Sequence, residues 1–299
     1  MTSYAVLGPG GVGGLLAAVL AKDGHDVTCI AREETAKALH DGGIQVASGL
    51  FGNFSVSVDA VSSLDRPVDA CFVAVKATAL QESLHRIPRE QIGDTLIVPL
   101  LNGLDHVALL RREYDPACVL PGVIHVESTR VSTGVIEHGS PFARVSLASE
   151  TTPPDRVDRV EGDLVAAGFE VVRGGDEASI LWGKLSFLAT AALLTARHRA
   201  TMGEVRTRHQ VELQATAREI AAVSEASGGP GDPQRILDMF NAFNADGKTS
   251  MLRDLEAGRP PELDAIGGAV LRAAQAHGIP VPTVQSLVDA LAAEGEDTR

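Results

Sequence analysis

Lys184 is the one charged residue in an otherwise apolar stretch, ILWGKLSFLATAALL from Ile180 to Leu194. At helical spacing its neighbours are Ile180, Phe187 and Leu188, so the lysine projects from a face that belongs in a core. Burial there lowers a lysine's pKa and makes it a proton donor near neutral pH. The plainer reading is a stem that packs on apolar surface while the amine reaches water. A second stretch with chemical content lies at the start of the chain. Tyr4-Ala5-Val6-Leu7 is a short apolar run, Gly8-Pro9-Gly10-Gly11-Val12-Gly13-Gly14 follows, and an alanine- and leucine-rich helix runs from Leu15 to Lys22. This is G-x-G-x-x-G between a strand and a helix. Gly8 permits a tight turn, Gly10 lets backbone approach a pyrophosphate, and Gly13 lets the helix pack close to the strand. The free N–H groups of the helix start, beginning around Gly11 and Val12, face the phosphates with about half a positive charge. A dinucleotide site is expected here.

Arg32 closes the second expected strand, Val27 to Ala31, after the turn Asp23-Gly24-His25-Asp26. An acidic residue at this place selects NAD through the ribose 2′-hydroxyl, whereas an arginine suits a 2′-phosphate, so NADP is expected. Glu33 and Glu34 follow at once and weaken the positive field, and a solvated arginine at a helix start is the competing account. Two more buried-type strands, Asp69 to Val75 and Thr95 to Leu100, are followed by Lys76 and by Asn102-Gly103. Ligands of open α/β sheets lie beyond the carboxyl ends of strands, which makes both residues candidates; either one alone can equally be a polar strand-end residue.

These residues need elements to hold them. The segments VLPGVIHVEST, GVIEH and ARVSLAS between Val119 and Ala148 read as β-structure separated by turns. His125 and Ser128 fall within them as sheet residues, without a G-x-S-x-G elbow or an oriented acid. A helix to Ala167 and a strand Phe169 to Val172 follow, and Gly174-Gly175-Asp176 marks a boundary with Asp176 as a helix cap. Everything beyond reads helical: one long amphipathic helix from Glu204 to Ser227, one from Pro233 to Phe243 behind Asp232, and two more over about Leu263 to His277 and Thr283 to Ala293. The expected fold is α/β, with an N-terminal Rossmann-type dinucleotide-binding domain over 1–175 and a C-terminal all-α domain over 176–299. The cleft between them is the default site.

Composition narrows the partners. A net charge of −13 in 299 residues, with no Lys/Arg-rich tract, disfavours nucleic acid and anionic membranes. Cys29, Cys71 and Cys118 lack any C-x-x-C spacing and read as reduced core thiols. The nine histidines show no ligand spacing, and no metal is expected. The strand beginning at Tyr4 leaves no room for a secretory leader, and the apolar runs read as shorter than a membrane span, so a cytoplasmic location and a monomer or homodimer are expected.

Taken in order, Gly8 to Gly14, Ala31-Arg32, Val75-Lys76-Ala77, Leu101-Asn102-Gly103, Leu181-Trp182-Gly183-Lys184-Leu185, Thr249-Ser250-Met251-Leu252-Arg253-Asp254, Glu262-Leu263-Asp264 and Ala276 to Pro282 resemble the ketopantoate reductase family over essentially the full length. The resemblance implies an NADPH-dependent reductase that delivers hydride to the ketone of a 2-oxo acid, a small-molecule substrate. It implies that Lys184 protonates the developing alkoxide, that Glu262 holds the amine and the substrate, and that Asn102 sits beside the carbonyl and nicotinamide. Ser250 would meet the substrate carboxylate, Lys76 the cofactor, and Arg32 the 2′-phosphate. In one respect the chain departs from the family. Two asparagines usually face the substrate hydroxyls one and two turns beyond the lysine; here those positions are Leu188 and Ala192, which points to a substrate with a less polar far end than ketopantoate. The alternatives are a 3-hydroxy-acid dehydrogenase or imine reductase, and a non-catalytic NADP-binding regulator.

Overall fold

The computed structural model describes residues 1–296. They fall into two compact units: the first comprises Met1–Leu101 and His106–Glu177, and the second comprises Asn102–Asp105 and the chain from Ala178 onward.

The strands of the first unit are β1 (Ser3–Leu7), β2 (Asp26–Ile30), β3 (Ile44–Ser48), β4 (Phe54–Val56), β5 (Asp59–Val61), β6 (Ala70–Val73), β7 (Leu96–Pro99), β8 (Gly122–His125), β9 (Ser128–Ser132), β10 (Val135–His138), β11 (Arg144–Ala148) and β12 (Glu170–Gly174). Its helices are α1 (Gly11–Lys22), α2 (Glu33–Gly42), the short α3 (Leu80–Ser83) and α4 (Arg89–Ile92), α5 from Asp105 to Glu113, and α6 (Pro154–Ala166). The principal sheet has the order β5-β2-β1-β6-β7 with every pairing parallel. All of β6 and β7, and β1 beyond Ser3, are buried, as parallel strands covered on both faces must be. Leu7 pairs with Ile30 and with Val73, Ile30 with Val61, and Val73 with Pro99, so the carboxyl ends of all five strands are flush. Gly8, Ala31, Ser62 and Ala74 therefore leave the sheet side by side. The order turns at β1, with β2 on one side and β6 on the other, which makes this edge the switch point where α/β sheets bind ligands.

Two smaller sheets, β4-β3-β10-β9 and β12-β11-β8, complete the unit. The β-rich reading of Val119 to Ala148 corresponds to β8 through β11, with His125 ending one strand and Ser128 starting the next. β3 carries an alternating buried and exposed pattern that the sequence reading passed over. Cys29 and Cys71 lie in the core, and burial pushes both thiols up to about 12, which keeps them protonated and inert.

The second unit is helical: α7 (Glu177–His198), α8 (Met202–Arg208), α9 (Gln210–Ala226), α10 (Pro233–Ala242), α11 (Ser250–Glu256), a π-helical turn over Asp264–Gly268, α12 (Ala269–His277) and α13 (Pro282–Glu296). Two expectations need correction. The single helix over Glu204 to Ser227 is two helices. The first starts earlier, at a capping box in which the Thr201 side chain and Glu204 satisfy each other's backbone N–H, and the second starts beyond His209, whose φ of −125° and ψ of 30° leave the helical region. Nor are all apolar runs short. The helix α7 matches a membrane span in length and hydropathy, but thirteen of its 22 residues are buried within the protein, as in the core helix of a helical domain. Around Leu185, Ala189, Ala192 and Leu193 of this helix pack Val205, Ile220, Phe240, Met251, Val270 and Val284.

Candidate active site

The glycine loop is a backbone device. Gly8 adopts φ +89°, a left-handed conformation, at the point where β1 turns toward α1, and its N–H donates to the Ile30 carbonyl at 3.0 Å. A Cβ on Gly13 would stand 2.3 Å from the Gly8 carbonyl oxygen, so the third glycine of the motif is required by close packing of helix on strand. A Cβ on Gly10 would meet only open space, with its nearest atom at 4.0 Å. The first helical bond runs from Gly14 N–H to the Gly10 carbonyl, which leaves the N–H groups of Gly11, Val12 and Gly13 outside the helical ladder. No acidic residue occupies the first turn. The residues present thus fit a dinucleotide: room at Gly10, free donors, and an uncancelled positive helix end. The sequence reading missed a support for this loop. Ser128, at the start of β9, donates its hydroxyl to the Gly11 carbonyl at 2.8 Å, and a Cβ on Gly11 would run into the Ser128 carbonyl at 2.3 Å. No local signal links residues 117 positions apart.

Arg32 is exposed at the N-cap of α2, immediately after β2, and Lys76 is exposed just past the carboxyl end of β6. Both stand at the switch-point edge.

In the second unit, Lys184 lies on α7 between the buried Trp182 and Leu185. Its stem keeps some exposure, but desolvation of the amine brings its pKa down to about 8, opposed only by the Glu262 carboxylate, which favours the charged form. Glu262 is itself buried, at 9% exposure, and accepts from Asn102 Nδ2 at 3.1 Å. Lysine, glutamate and asparagine therefore form one group in one unit. Asn102 belongs here because its segment is fastened to the helical unit. Gly103, at φ +92°, presses so close that a Cβ would reach the Ala265 carbonyl at 2.3 Å, and Leu104 packs on the helical core. Arg272 bridges Asp105 Oδ2 at 2.6 Å and Asp264 Oδ1 at 2.7 Å. Glu262 lies two residues before the π-helical turn, and its carbonyl accepts the Ile266 N–H at 3.1 Å. Such turns are frequent at functional sites.

Ser250 is exposed as the first residue of α11. Thr249 caps that helix, accepting from Leu252 N–H at 3.3 Å, and shares a 2.8 Å hydrogen bond with Thr195 of α7. The serine is thus tied to the helix that carries the lysine. Leu188 is half-buried. Ala192, expected to face the substrate, has no accessible surface and packs in the helical core, so it offers a ligand nothing to touch. Two turns along α7 from Lys184, the helix has already turned inward.

Elsewhere in this unit the fold gathers a cluster that sequence spacing did not reveal. His198 Nε2 lies 2.5 Å from Glu212 Oε2, and the rings of His198 and His209 stack with centroids 3.5 Å apart. The carboxylate and one imidazole already satisfy each other.

A glycine loop at the switch point of a parallel sheet, with an acidic lysine on an all-helical unit, is the architecture of a dinucleotide-dependent reductase. Residues 4–149 match the family model of ketopantoate reductase PanE/ApbA, and residues 177–294 match that of the ketopantoate reductase PanE/ApbA C-terminal domain. The chain belongs to this family. It is 28% identical to an uncharacterized oxidoreductase, YkpB, of Bacillus subtilis, over 95% of this chain and 96% of that one. It is also 28% identical to a 2-dehydropantoate 2-reductase of Mycobacterium tuberculosis, over 99% and 98% of the two chains. Among solved structures, a D-mandelate dehydrogenase in ternary complex with NADH and anilino(oxo)acetate shares the fold at TM-score 0.89 and 19% identity, over 99% of each chain.

Proposed function

We propose that the protein is an NADP-dependent oxidoreductase that reduces the ketone of a 2-oxo acid to a 2-hydroxy acid, working in the cytoplasm. NADPH supplies the hydride when bound, and the chain supplies the phosphate cradle and the proton. Its glycine loop and the N-terminus of α1 hold the pyrophosphate, while Arg32 and Lys76 face the cofactor from the ends of β2 and β6. Lys184 hydrogen-bonds the substrate carbonyl and gives its ammonium proton to that oxygen as negative charge develops there, leaving an alcohol and a neutral amine. Glu262 keeps the amine charged and oriented, Asn102 fixes Glu262 by the 3.1 Å hydrogen bond, and Ser250 donates to the substrate carboxylate. Solvent restores the proton.

The observation that carries this reading is the desolvated amine of Lys184, with a pKa near 8, opposite a buried carboxylate. A structural lysine gains nothing from that placement, whereas a general acid for neutral pH requires it. Half-buried Leu188 lies one turn further along α7. A leucine cannot reward a substrate hydroxyl, so the proposed substrate class is a 2-oxo acid with an apolar far end. NADPH oxidation measured across 2-oxo acids of graded polarity tests both points. Activity with apolar members is expected; clear preference for ketopantoate overturns the substrate assignment, and NADPH binding without turnover on any carbonyl favours a regulator.

A further inference from the structure

Arg86 belongs to the 3₁₀ turn Leu84–Arg86, 54 residues beyond Arg32 in the chain, yet its guanidinium lies at the end of β2. Nη1 donates to the Ala31 carbonyl at 3.3 Å and to the Ser62 carbonyl at 2.8 Å, so it spans the carboxyl ends of β2 and β5. The backbone is held as well: the Arg86 carbonyl accepts the Leu64 N–H at 2.8 Å and the Ser63 hydroxyl at 3.2 Å. Ala31 is bonded to Arg32, which places the two arginine cations at the same strand end. Among the described residues neither forms an ion pair with a carboxylate. Arg86 spends one nitrogen on two neutral carbonyls and keeps Nε and Nη2 for another acceptor.

We infer that Arg86 is a second, pre-organised contact for the cofactor's 2′-phosphate, beside Arg32. This rests on the proposed NADP reading and deepens it. In a doubly wound sheet the adenosine ribose lies at the end of β2, where a 2′-phosphate brings close to two negative charges. Arg32 alone faces that dianion from an exposed helix start, with Glu33 and Glu34 opposing it in the first turn. Arg86 supplies the missing positive charge, and four hydrogen bonds from side chain and backbone already fix its geometry, so little side-chain entropy is lost on binding.

The test is equilibrium binding of 2′,5′-ADP and of ADP to the intact protein, with Arg86→Met and Arg86→Lys beside the wild type. ADP lacks the 2′-phosphate and carries its second phosphate on the 5′ chain instead, so the affinity of each ligand is compared between variants. For Arg86→Met, 2′,5′-ADP should bind roughly 10- to 100-fold more weakly, as expected for one lost charge-assisted contact, with ADP affinity unchanged. Arg86→Lys should fall between, because it keeps the charge and loses the fork. Retained ADP binding also shows that each variant is folded. Equal loss of both ligands, the signature of an arginine that floors the adenine or only braces the loop, overturns the assignment, and so does no loss of either. Failure of the wild type to bind either nucleotide would instead overturn the cofactor reading beneath it.

Discussion

The glycine loop and the Lys184 helix solve opposite problems with opposite materials. At the loop, the groups that meet a ligand are backbone N–H donors, and the side chains matter by being absent: the Gly10 position opens to space, and Gly13 lets helix and strand close to a separation no Cβ would allow. On α7 the useful group is a single side chain, and its usefulness comes from the company it keeps, since burial brings its pKa from 10.5 to about 8. The first device binds because it is electrostatically unfinished; the second reacts because it is desolvated. Substitutions should therefore separate the two functions, with binding lost at one place and chemistry at the other.

The largest separation is expected at Lys184. Replacing it with Met removes the proton donor and should lower kcat by roughly 10²- to 10⁴-fold, while NADPH binding, followed by fluorescence, stays within a factor of two or so. The same change should make the protein more stable. A lysine whose pKa is lower in the folded state holds its charge at a cost, fully present below about pH 8 and gone above the unfolded value of 10.5, so at pH 7 the neutral side chain relieves at most about 3 kcal/mol. Thermal unfolding at pH 7 and pH 10.5 checks this: the variant's advantage should shrink at the higher pH. A variant less stable at pH 7 would mean that the amine is better solvated than its surroundings indicate.

Gly13→Ala is the counterpart in the loop. Its methyl group would stand 2.3 Å from the Gly8 carbonyl, and backbone cannot swing aside as a flexible side chain can. A cost of about 1–3 kcal/mol in stability, with a KM for NADPH raised about tenfold or more, is expected. The kcat at saturating cofactor should fall little. If kcat falls as far as in the lysine variant, binding and chemistry are not separable in the way the two regions suggest.

How far the sequence disclosed these two regions follows from the same contrast. The loop's requirements are local, so strand, glycines and helix are contiguous, and the motif spells out its own geometry. Lys184 was conspicuous for being alone among apolar residues, and α7 gave that placement. What surrounds it was less visible. The bond between Asn102 and Glu262 joins residues 160 positions apart, and Asn102 sides with the helical unit through Gly103, Leu104 and Asp105, whose contacts are equally distant in the chain and reported by no periodicity. Ala192 was misplaced because family position was read as exposure, whereas the helix rotates into the core before it reaches that turn. The break at His209 hides in an amphipathic pattern that runs through it, and the stacking of its ring on His198 from another helix is a contact that such a pattern does not report. Ser128 and Arg86 were legible only once the fold brought them to the start of α1 and the end of β2.

Glu262 offers a subtler probe of the lysine site. Its carboxylate is the one influence that raises the Lys184 pKa against desolvation. The donor must be protonated, so kcat/KM for carbonyl reduction should fall as pH rises through about 8 in the wild type. Glu262→Gln keeps the shape and the hydrogen-bonding capacity toward Asn102 but removes the charge, so the alkaline limb should move to lower pH. A pH–rate profile that stays in place would assign the limb to another group.

The smallest expected effect is at Leu188, where the change concerns which substrate is taken and leaves the chemistry alone. One turn beyond Lys184 and half-buried, this position has room for a polar side chain of similar length, and Leu188→Asn would give a hydroxylated substrate a partner it now lacks. In a hydrophobic pocket, an added or missing group of this size shifts selectivity by about 1–3 kcal/mol. The ratio of kcat/KM for ketopantoate to that for an apolar 2-oxo acid should accordingly rise by about tenfold, mostly through KM, with the pH–rate profile unmoved because Lys184 and Glu262 are untouched. If instead both substrates lose activity in proportion, Leu188 serves only to pack α7 against its neighbours, and the apolar stretch around the lysine carries no information about substrate polarity.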